Sequence, residues 1–232
     1  MLNFENYEVL TFDCYGTLID WESGILSAMK RILTTHHVEL EDRAILEQVA
    51  TLEARAEGGA FQDYKSVLKK VVDGFASEFH FDPATDEEKL LGESLKKWEP
   101  FPDTVDALRV LKKKYKLAIL SNVDDDLFSL SARRLKVEFD WVITAQQVRS
   151  YKPSLNNFRY AIREIGAPKK RVLHVAQSIY HDIIPAHRSG LSTVWVNRQP
   201  SRMRLDTWPI AYPRPDVEVP NLKSLVGEAG LR

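Results

Sequence analysis

The sequence predicts an α/β protein: a parallel sheet between layers of helices, with an all-helical segment inserted after the first strand. Three observations carry this reading. Short apolar runs at 9–12, 117–120, 141–144, 172–175 and 193–196 have the length and character of strands buried on both faces. From Pro102 onward these runs alternate with helix-length segments, the pattern of right-handed βαβ crossovers. Between Trp21 and Trp98, apolar residues recur only at helical spacing.

Strand 1, about Glu8 to Asp13, ends in a carboxylate, and Gly16 then permits a turn that bulky residues resist. The helical segment follows, with stripes at Ile25, Met29, Ile32 and Leu33, then Ile45, Leu46, Val49 and Leu52, then Val67, Leu68, Val71, Val72 and Phe75. Gly58-Gly59 separates its second and third helices, and Thr85 reads as the N-cap of a fourth. Asp103 reads as the cap of a helix carrying Val105, Leu108 and Leu111, which ends in Lys112-Lys113-Lys114, basic charge suited to a helix C-terminus. The strand Leu117–Leu120 ends at Ser121-Asn122. A helix near 127–135, the strand Trp141–Thr144, the Lys152-Pro153 turn, a helix around 158–165 and the strand Arg171–Val175 complete the pattern up to Ser178. A helix over 183–187, its C-cap Gly190 and the strand Thr193–Val196 follow. The proline-bearing stretch Gln199 to Pro220 reads as an irregular excursion before a last helix near 222–226. The expected architecture is a Rossmann-like three-layer core over 1–20 and 99–232, with a helical cap over 21–98.

A chain of 232 residues with 44% hydrophobic and 28% charged residues is long enough to bury a substantial core. A net charge of -1 offers no general attraction to nucleic acid or to an anionic membrane surface, so neither is expected as a partner. No apolar run approaches the ~18 residues a membrane span needs. The first residues lack the basic and apolar regions of a secretory signal, and one cysteine, Cys14, excludes an internal disulfide; a cytoplasmic location is the expectation. Dimers being common among homo-oligomers, a homodimer is the assembly to test.

Four polar sites fall at the carboxyl ends of the expected strands: Asp13 with Thr17, Ser121 with Asn122, Lys152, and Gln177-Ser178 with Asp182. In an open parallel sheet that edge is where ligands bind. A lone Asp after a strand ordinarily caps the next turn. One held in a partly dry pocket can instead attack an electrophile and form an ester.

These motifs, in this order, resemble the haloacid dehalogenase superfamily over nearly the whole chain. Asp13-x-Tyr15-Gly16-Thr17 matches the first motif, Ser121-Asn122 the second, Lys152-Pro153 the third, and Ser178 with Asp182 the fourth; Asp182 lies slightly beyond the usual spacing. The resemblance implies Asp13 as nucleophile, Thr17, Ser121 and Asn122 as binders of a substrate oxyanion, and Lys152 as the countercharge that lowers the pKa of Asp13. Phosphatases of the superfamily usually carry an Asp where Tyr15 stands and hold Mg²⁺ with an acid where Gln177 stands. Asp13-Cys14-Tyr15-Gly16-Thr17 resembles instead the type II 2-haloacid dehalogenases. These cleave carbon–halogen bonds through an aspartyl ester without a cofactor. A small carboxylate would then be the substrate, Tyr15 and Gln177 would line its pocket, Ser178 would serve the fourth motif, and water activated near Asp182 would hydrolyse the ester.

The same resemblance implies a cap arginine over the departing halide. Arg43 and Arg55 are nearest, with Thr51, Leu52 or Glu53 as other occupants of that place. Phe101 to Thr104 and Ser178 to Asp182 also resemble L-azetidine-2-carboxylate hydrolases, whose leaving group is an amine, so the leaving group stays open. An Mg²⁺-dependent phosphatase and a non-catalytic binding member of the fold are the alternatives.

Among the histidines, His174 reads as a hydrogen-bonded core residue, and His181 as a surface or helix-capping residue rather than a proton shuttle. Trp21, Phe61, Tyr64 and Trp98 read as core of the helical segment rather than pocket lining.

Overall fold

Strand β1 (Val9–Phe12) runs through the middle of a six-stranded parallel sheet in a computed structural model that describes residues 2–198 and 213–232. The strand order is β3-β2-β1-β4-β5-β6, with β2 (Lys116–Ser121), β3 (Trp141–Thr144), β4 (Val172–Ala176), β5 (Ser192–Val196) and β6 (Val217–Val219). Registers such as Phe12 opposite Ile119 and Val175 bring the carboxyl ends of the three central strands level. The sheet reverses its order of construction between β1 and β4, the position at which open α/β sheets leave a crevice.

Both faces of the sheet are apolar, which is why its strands read as continuous hydrophobic runs. Leu10, Phe12, Leu117, Ile119, Leu173 and Val175 pack with helices α5 (Thr104–Lys112) and α10 (Leu222–Glu228). Val9, Ala118, Leu120 and Val172 face the other way, onto Phe158, Ala161 and Ile165 of α8 (Leu155–Ile165) and Ala186 of α9 (Ile184–Arg188). The intervening helices are α6 (Asp125–Leu135) and the single turn α7 (Ala145–Val148).

Between β1 and α5 the chain forms four helices: α1 (Trp21–Thr35), α2 (Asp42–Glu57), α3 (Tyr64–Phe79) and α4 (Thr85–Ser94). The apolar stripes read from the sequence meet as their common core, and Leu52 packs so closely on α3 that a Cβ at Gly74 would come within 2.6 Å of it. Two local features hold this helical layer over the sheet edge. Its entering and leaving segments pair, Asp20 N–H with the Glu99 carbonyl at 2.9 Å and Phe101 N–H with the Leu18 carbonyl at 3.0 Å. The Asp124 carboxylate, just after β2, accepts the Tyr64 and Lys65 N–H groups at 2.9 and 3.1 Å, satisfying orphan donors at the start of α3.

Three expectations need correction. The cap of α4 is Ala84, whose N–H is bonded by the Glu87 carboxylate at 2.9 Å, and Thr85 is already helical. Asp103 makes no side-chain cap at its own helix, because its carboxylate is engaged by Arg198 at 2.9 Å and by the Leu222 N–H at 2.6 Å. Within the expected irregular stretch 199–220, Val217–Val219 forms the edge strand β6; three residues beside prolines are too short a run for periodicity to register. Residues 199–212 of that stretch lie outside the described residues. Among the described residues no helix is long and apolar enough to cross a membrane.

Candidate active site

The turn after β1 is shaped by Gly16, whose φ of +89° is one that L side chains rarely adopt. It returns Thr17 to Asp13: the Thr17 hydroxyl donates to Asp13 Oδ2 at 2.7 Å and accepts the Gln177 N–H at 2.9 Å. Thr17 is wholly buried and faces its own chain, so its hydroxyl orients Asp13 and does not reach a substrate oxyanion. That corrects the binding role expected for it.

Lys152 supplies the other half of the arrangement. Its ammonium donates to Asp13 Oδ1 at 2.9 Å, to Asp182 Oδ1 at 2.7 Å and to the Leu120 carbonyl at 2.9 Å, which uses all three of its hydrogens. The side chain is only 2% exposed. Asn122 fixes the backbone that carries it, accepting the Lys152 N–H at 2.7 Å and donating to the Lys152 carbonyl at 3.0 Å. Asn122 therefore holds the lysine as well as lining the cavity.

Asp182 reaches the lysine because the segment after β4 winds as one π-turn over Ile179–Ile183. His174 Nε2 lies 3.0 Å from Asp182 Oδ1, and its Nδ1 lies 2.9 Å from the Thr11 hydroxyl. His174 is thus the hydrogen-bonded core residue expected, and it also orients a site carboxylate. Ser178 caps the π-turn through the His181 N–H at 3.1 Å, and its hydroxyl lies 3.1 Å from His181 Nδ1. His181 lines the cavity rather than the outer surface, and burial lowers its pKa.

The charges sort as the contacts dictate. Burial opposes the charge on Lys152, yet the two carboxylates outweigh it and raise the ammonium's pKa above its ordinary value. Burial likewise opposes ionisation of Asp182, but Lys152 and His174 together lower its pKa. For Asp13 burial prevails: its pKa is raised, with Lys152 and Thr17 pulling the other way and the charge on Asp182 adding to the rise. The depression expected from Lys152 is therefore outweighed by desolvation. Cys14, wholly buried, has its thiol pushed up by burial and is inert packing.

Asp13, Tyr15, Ser121, Asn122, Lys152, Gln177, Ser178 and Asp182 line one cavity of about 290 Å³, beneath α2 and the start of α3. Tyr15 is a wall of it: its hydroxyl lies 2.9 Å from Ser131 Oγ and its ring meets Trp98 edge-on. Ser121 Oγ and Asp182 Oδ2 are buried without a hydrogen-bond partner among the described residues. Trp21 and Tyr64 line the cavity, against the expectation of core packing alone; Trp98 is buried core, and Phe61 stacks on Tyr151.

Neither arginine expected over the site is there. Arg43 is exposed and pairs with Glu47 at 2.7 Å, and Arg55 is an exposed residue that does not line the cavity. The cavity-facing side of α2 carries Ala50, Glu53, Ala54 and Glu57 instead. Arg198 also lines the cavity, but its guanidinium is bonded to Asp103 and the Thr17 carbonyl and stacked on Phe101 at 3.8 Å.

The donor set fits a divalent cation poorly. Lys152 occupies the space between Asp13 and Asp182, Gln177 offers a neutral carbonyl, and the Tyr15 hydroxyl turns to Ser131. Among the described residues no group of three or more His, Cys, Asp or Glu side chains is arranged to hold a metal ion.

A family model described as haloacid dehalogenase-like hydrolase matches residues 7–190. The chain is 24% identical over 201 residues to (S)-2-haloacid dehalogenase 4A of Burkholderia cepacia, covering 84% of this chain and 85% of that protein. It is 25% identical over 158 residues to the pyrimidine 5'-nucleotidase YjjG of Escherichia coli strain K12, covering 59% and 70%. The structure of L-2-haloacid dehalogenase from Xanthobacter autotrophicus with chloropropionic acid covalently bound matches with a TM-score of 0.79 at 22% identity, over 94% and 96% of the two chains. At that identity the structural likeness speaks to the fold.

Proposed function

Because the chain belongs to the haloacid dehalogenase-like hydrolases, we propose that it cleaves a bond between a carbon and its leaving group next to a carboxylate, through an ester formed on Asp13 and without a metal ion. The observation that carries this reading is at the two positions where phosphatases of the superfamily usually carry acids: Gln177 offers only a neutral side chain, and the Tyr15 hydroxyl turns to Ser131, while Asp13 is already paired with Lys152. A phosphoryl group brings two negative charges that a site must neutralise, and Lys152 is already committed to two carboxylates. A nucleophilic substitution at carbon makes a smaller demand.

In this mechanism Thr17 and Lys152 hold the two oxygens of Asp13, fixing the attacking carboxylate with little freedom to rotate. Ser121 Oγ, buried and unpartnered at the end of β2, is the donor for the substrate carboxylate, with Asn122 beside it. One Asp13 oxygen forms the new C–O bond as the leaving group departs with its electron pair. Water positioned by Asp182 Oδ2 then adds to the ester carbonyl carbon; the acyl C–O bond breaks, the product leaves as the 2-hydroxy acid with one of the water's protons, and Asp13 returns as a carboxylate, the other proton passing to solvent. In that second step one oxygen of Asp13 is exchanged for one from water.

The test is a single turnover in ¹⁸O-water with EDTA, using L-2-chloropropionate first and amine-bearing carboxylates second, with mass analysis of the Asp13 peptide. Heavy oxygen in Asp13 supports the reading. Turnover without label in Asp13, or turnover abolished by EDTA, would overturn it. Phosphate release from nucleotides in Mg²⁺ would then favour the phosphatase reading that the nucleotidase relative suggests.

A further inference from the structure

The wall that α2 gives the cavity has the wrong sign for a site built to hold an anion alone. Among the described residues, six carboxylates line the cavity against two cationic side chains; Lys152 is taken up by two of the six, Asp13 and Asp182, and Arg198 by Asp103 outside the cavity. Glu53 and Glu57 stand out because, among the described residues, no cationic side chain makes a salt bridge to them. Glu53 accepts a hydrogen bond from the Tyr64 hydroxyl at 2.7 Å, and Glu57 lies 3.4 Å from the Asn122 amide. They sit one helical turn apart on one face, where two like charges repel. Glu57 also ends the last turn of α2, whose carbonyl end adds partial negative charge.

A second observation points to a ligand in the same cavity. Ser121, 3% exposed, lines it with a hydroxyl that has no partner among the described residues. A buried hydroxyl without a partner and a half-buried pair of acids without a counter-ion among the described residues are both expensive unless a bound molecule completes them. The molecule that would complete both carries an acceptor at one end and a cation at the other.

We propose that Glu53 and Glu57 form a subsite for a cationic nitrogen of the substrate, making the substrate a small zwitterion with an ammonium group as well as a carboxylate. The inference rests on the Asp13 reading above and names the substrate class of that site. Glu53 stands where the resemblance to 2-haloacid dehalogenases implied an arginine could lie, so the charge that this wall offers a ligand is reversed.

The proton inventory of the pair supplies a readout that needs no turnover. Burial raises Glu53 to about 7; burial, with the Glu53 charge adding, raises Glu57 to about 8, and Lys152 partly offsets this. The Tyr64 and Tyr151 hydroxyls near the pair have their own pKa values raised by burial and by these carboxylates, so they stay neutral. At pH 7.5 Glu53 and Glu57 together therefore hold about one proton, which an incoming ammonium group would displace.

The experiment is isothermal titration of the intact protein at pH 7.5 with L-alanine and with propionate, in two buffers of different ionisation enthalpy. L-Alanine should bind about tenfold more tightly than propionate, an ion pair's worth of affinity, and release up to about one proton. The Glu53→Gln/Glu57→Gln protein, shown folded by its thermal transition, should lose both the preference and the proton release. Propionate bound as tightly as L-alanine, or a preference that survives in the double variant, overturns the subsite and leaves the carboxylate reading standing. No binding of either probe overturns both, while the ¹⁸O label at Asp13 reports on the nucleophile independently.

Discussion

Replacing Glu57 by Gln should make the protein more stable at alkaline pH and leave it nearly unchanged at acid pH. Glu57 is raised from 4.5 to about 8 in the folded protein, burial being the main cause. Between those values the folded chain keeps a proton that the unfolded chain has released, so stability falls as pH rises through the window and the full cost is present above about 8. A displacement from 4.5 to about 8 corresponds, at about 1.36 kcal/mol per pH unit, to about 5 kcal/mol. Because the side chain is only half-buried, solvent screening brings the working figure to about 2 kcal/mol. The Gln side chain keeps the shape and can still bond the Asn122 amide, and it has no charge to desolvate. Urea unfolding followed by tryptophan fluorescence at pH 5 and pH 9 measures the difference. The variant should gain about 2 kcal/mol at pH 9 and differ from the parent by less than about 0.5 kcal/mol at pH 5. An equal effect at both pH values would refute the claim that a desolvated charge without a counter-ion sits at the end of α2.

Lys152→Met should abolish measurable turnover, a fall of at least about 10³-fold, and cost about 3–5 kcal/mol at pH 7, because two buried carboxylates lose their shared partner. Adding Asp182→Asn to that variant should restore part of the stability in urea unfolding and none of the activity; no recovery would remove the countercharge argument. The acid limb of kcat/KM should have its midpoint above 3.8, since burial raises Asp13 and only the ionised carboxylate attacks. Thr17→Val should move that limb to still higher pH, because the Thr17 hydroxyl bonds the charged form; a profile flat to pH 4 in protein that remains folded would refute both statements.

The sheet edge was legible because a βα repeat leaves few options for it. Once the strands at 9–12, 117–120 and 172–175 are read as buried and parallel, the residues that follow them must meet at one edge, and Asp13, Ser121-Asn122 and Gln177 do. Lys152 belongs to the loops after β3, and its type and the Pro153 beside it marked it out. What each side chain does there was less legible. Thr17 read as a substrate ligand, yet the positive φ of Gly16 folds the turn so that its hydroxyl reaches Asp13 and the Gln177 N–H. Asp182 looked set slightly beyond the usual spacing, and the π-turn from which it reaches Lys152 at 2.7 Å is a rare hydrogen-bond pattern with no strong sequence signature. His181 and Asp124 were lost for a related reason: one faces inward on that same turn, and the other caps a helix 60 positions earlier in the chain.

The helical layer resists reading for a different reason. Helical periodicity says which side of α2 is apolar, and Ile45, Leu46 and Val49 duly face the core. It does not say what lies beyond the two borders of that stripe. Arg55 and Glu53 are both polar residues near the stripe's end, and about 100° of rotation per residue separates neighbours on a helix. That rotation, fixed by the packing of Leu52 on Gly74 and by the Asp124 cap on α3, turns Glu53 and Glu57 to the cavity and Arg55 to solvent. A signal was nonetheless present. Arg43 and Glu47 make an i,i+4 pair of opposite charge on α2, whereas Glu53 and Glu57 make one of like charge, an arrangement a solvated helix face has no reason to keep. The core presents its carboxylate and lysine whichever residues α2 contributes, so the sign of charge on this one helix face decides what is admitted to Asp13 without altering how Asp13 is held.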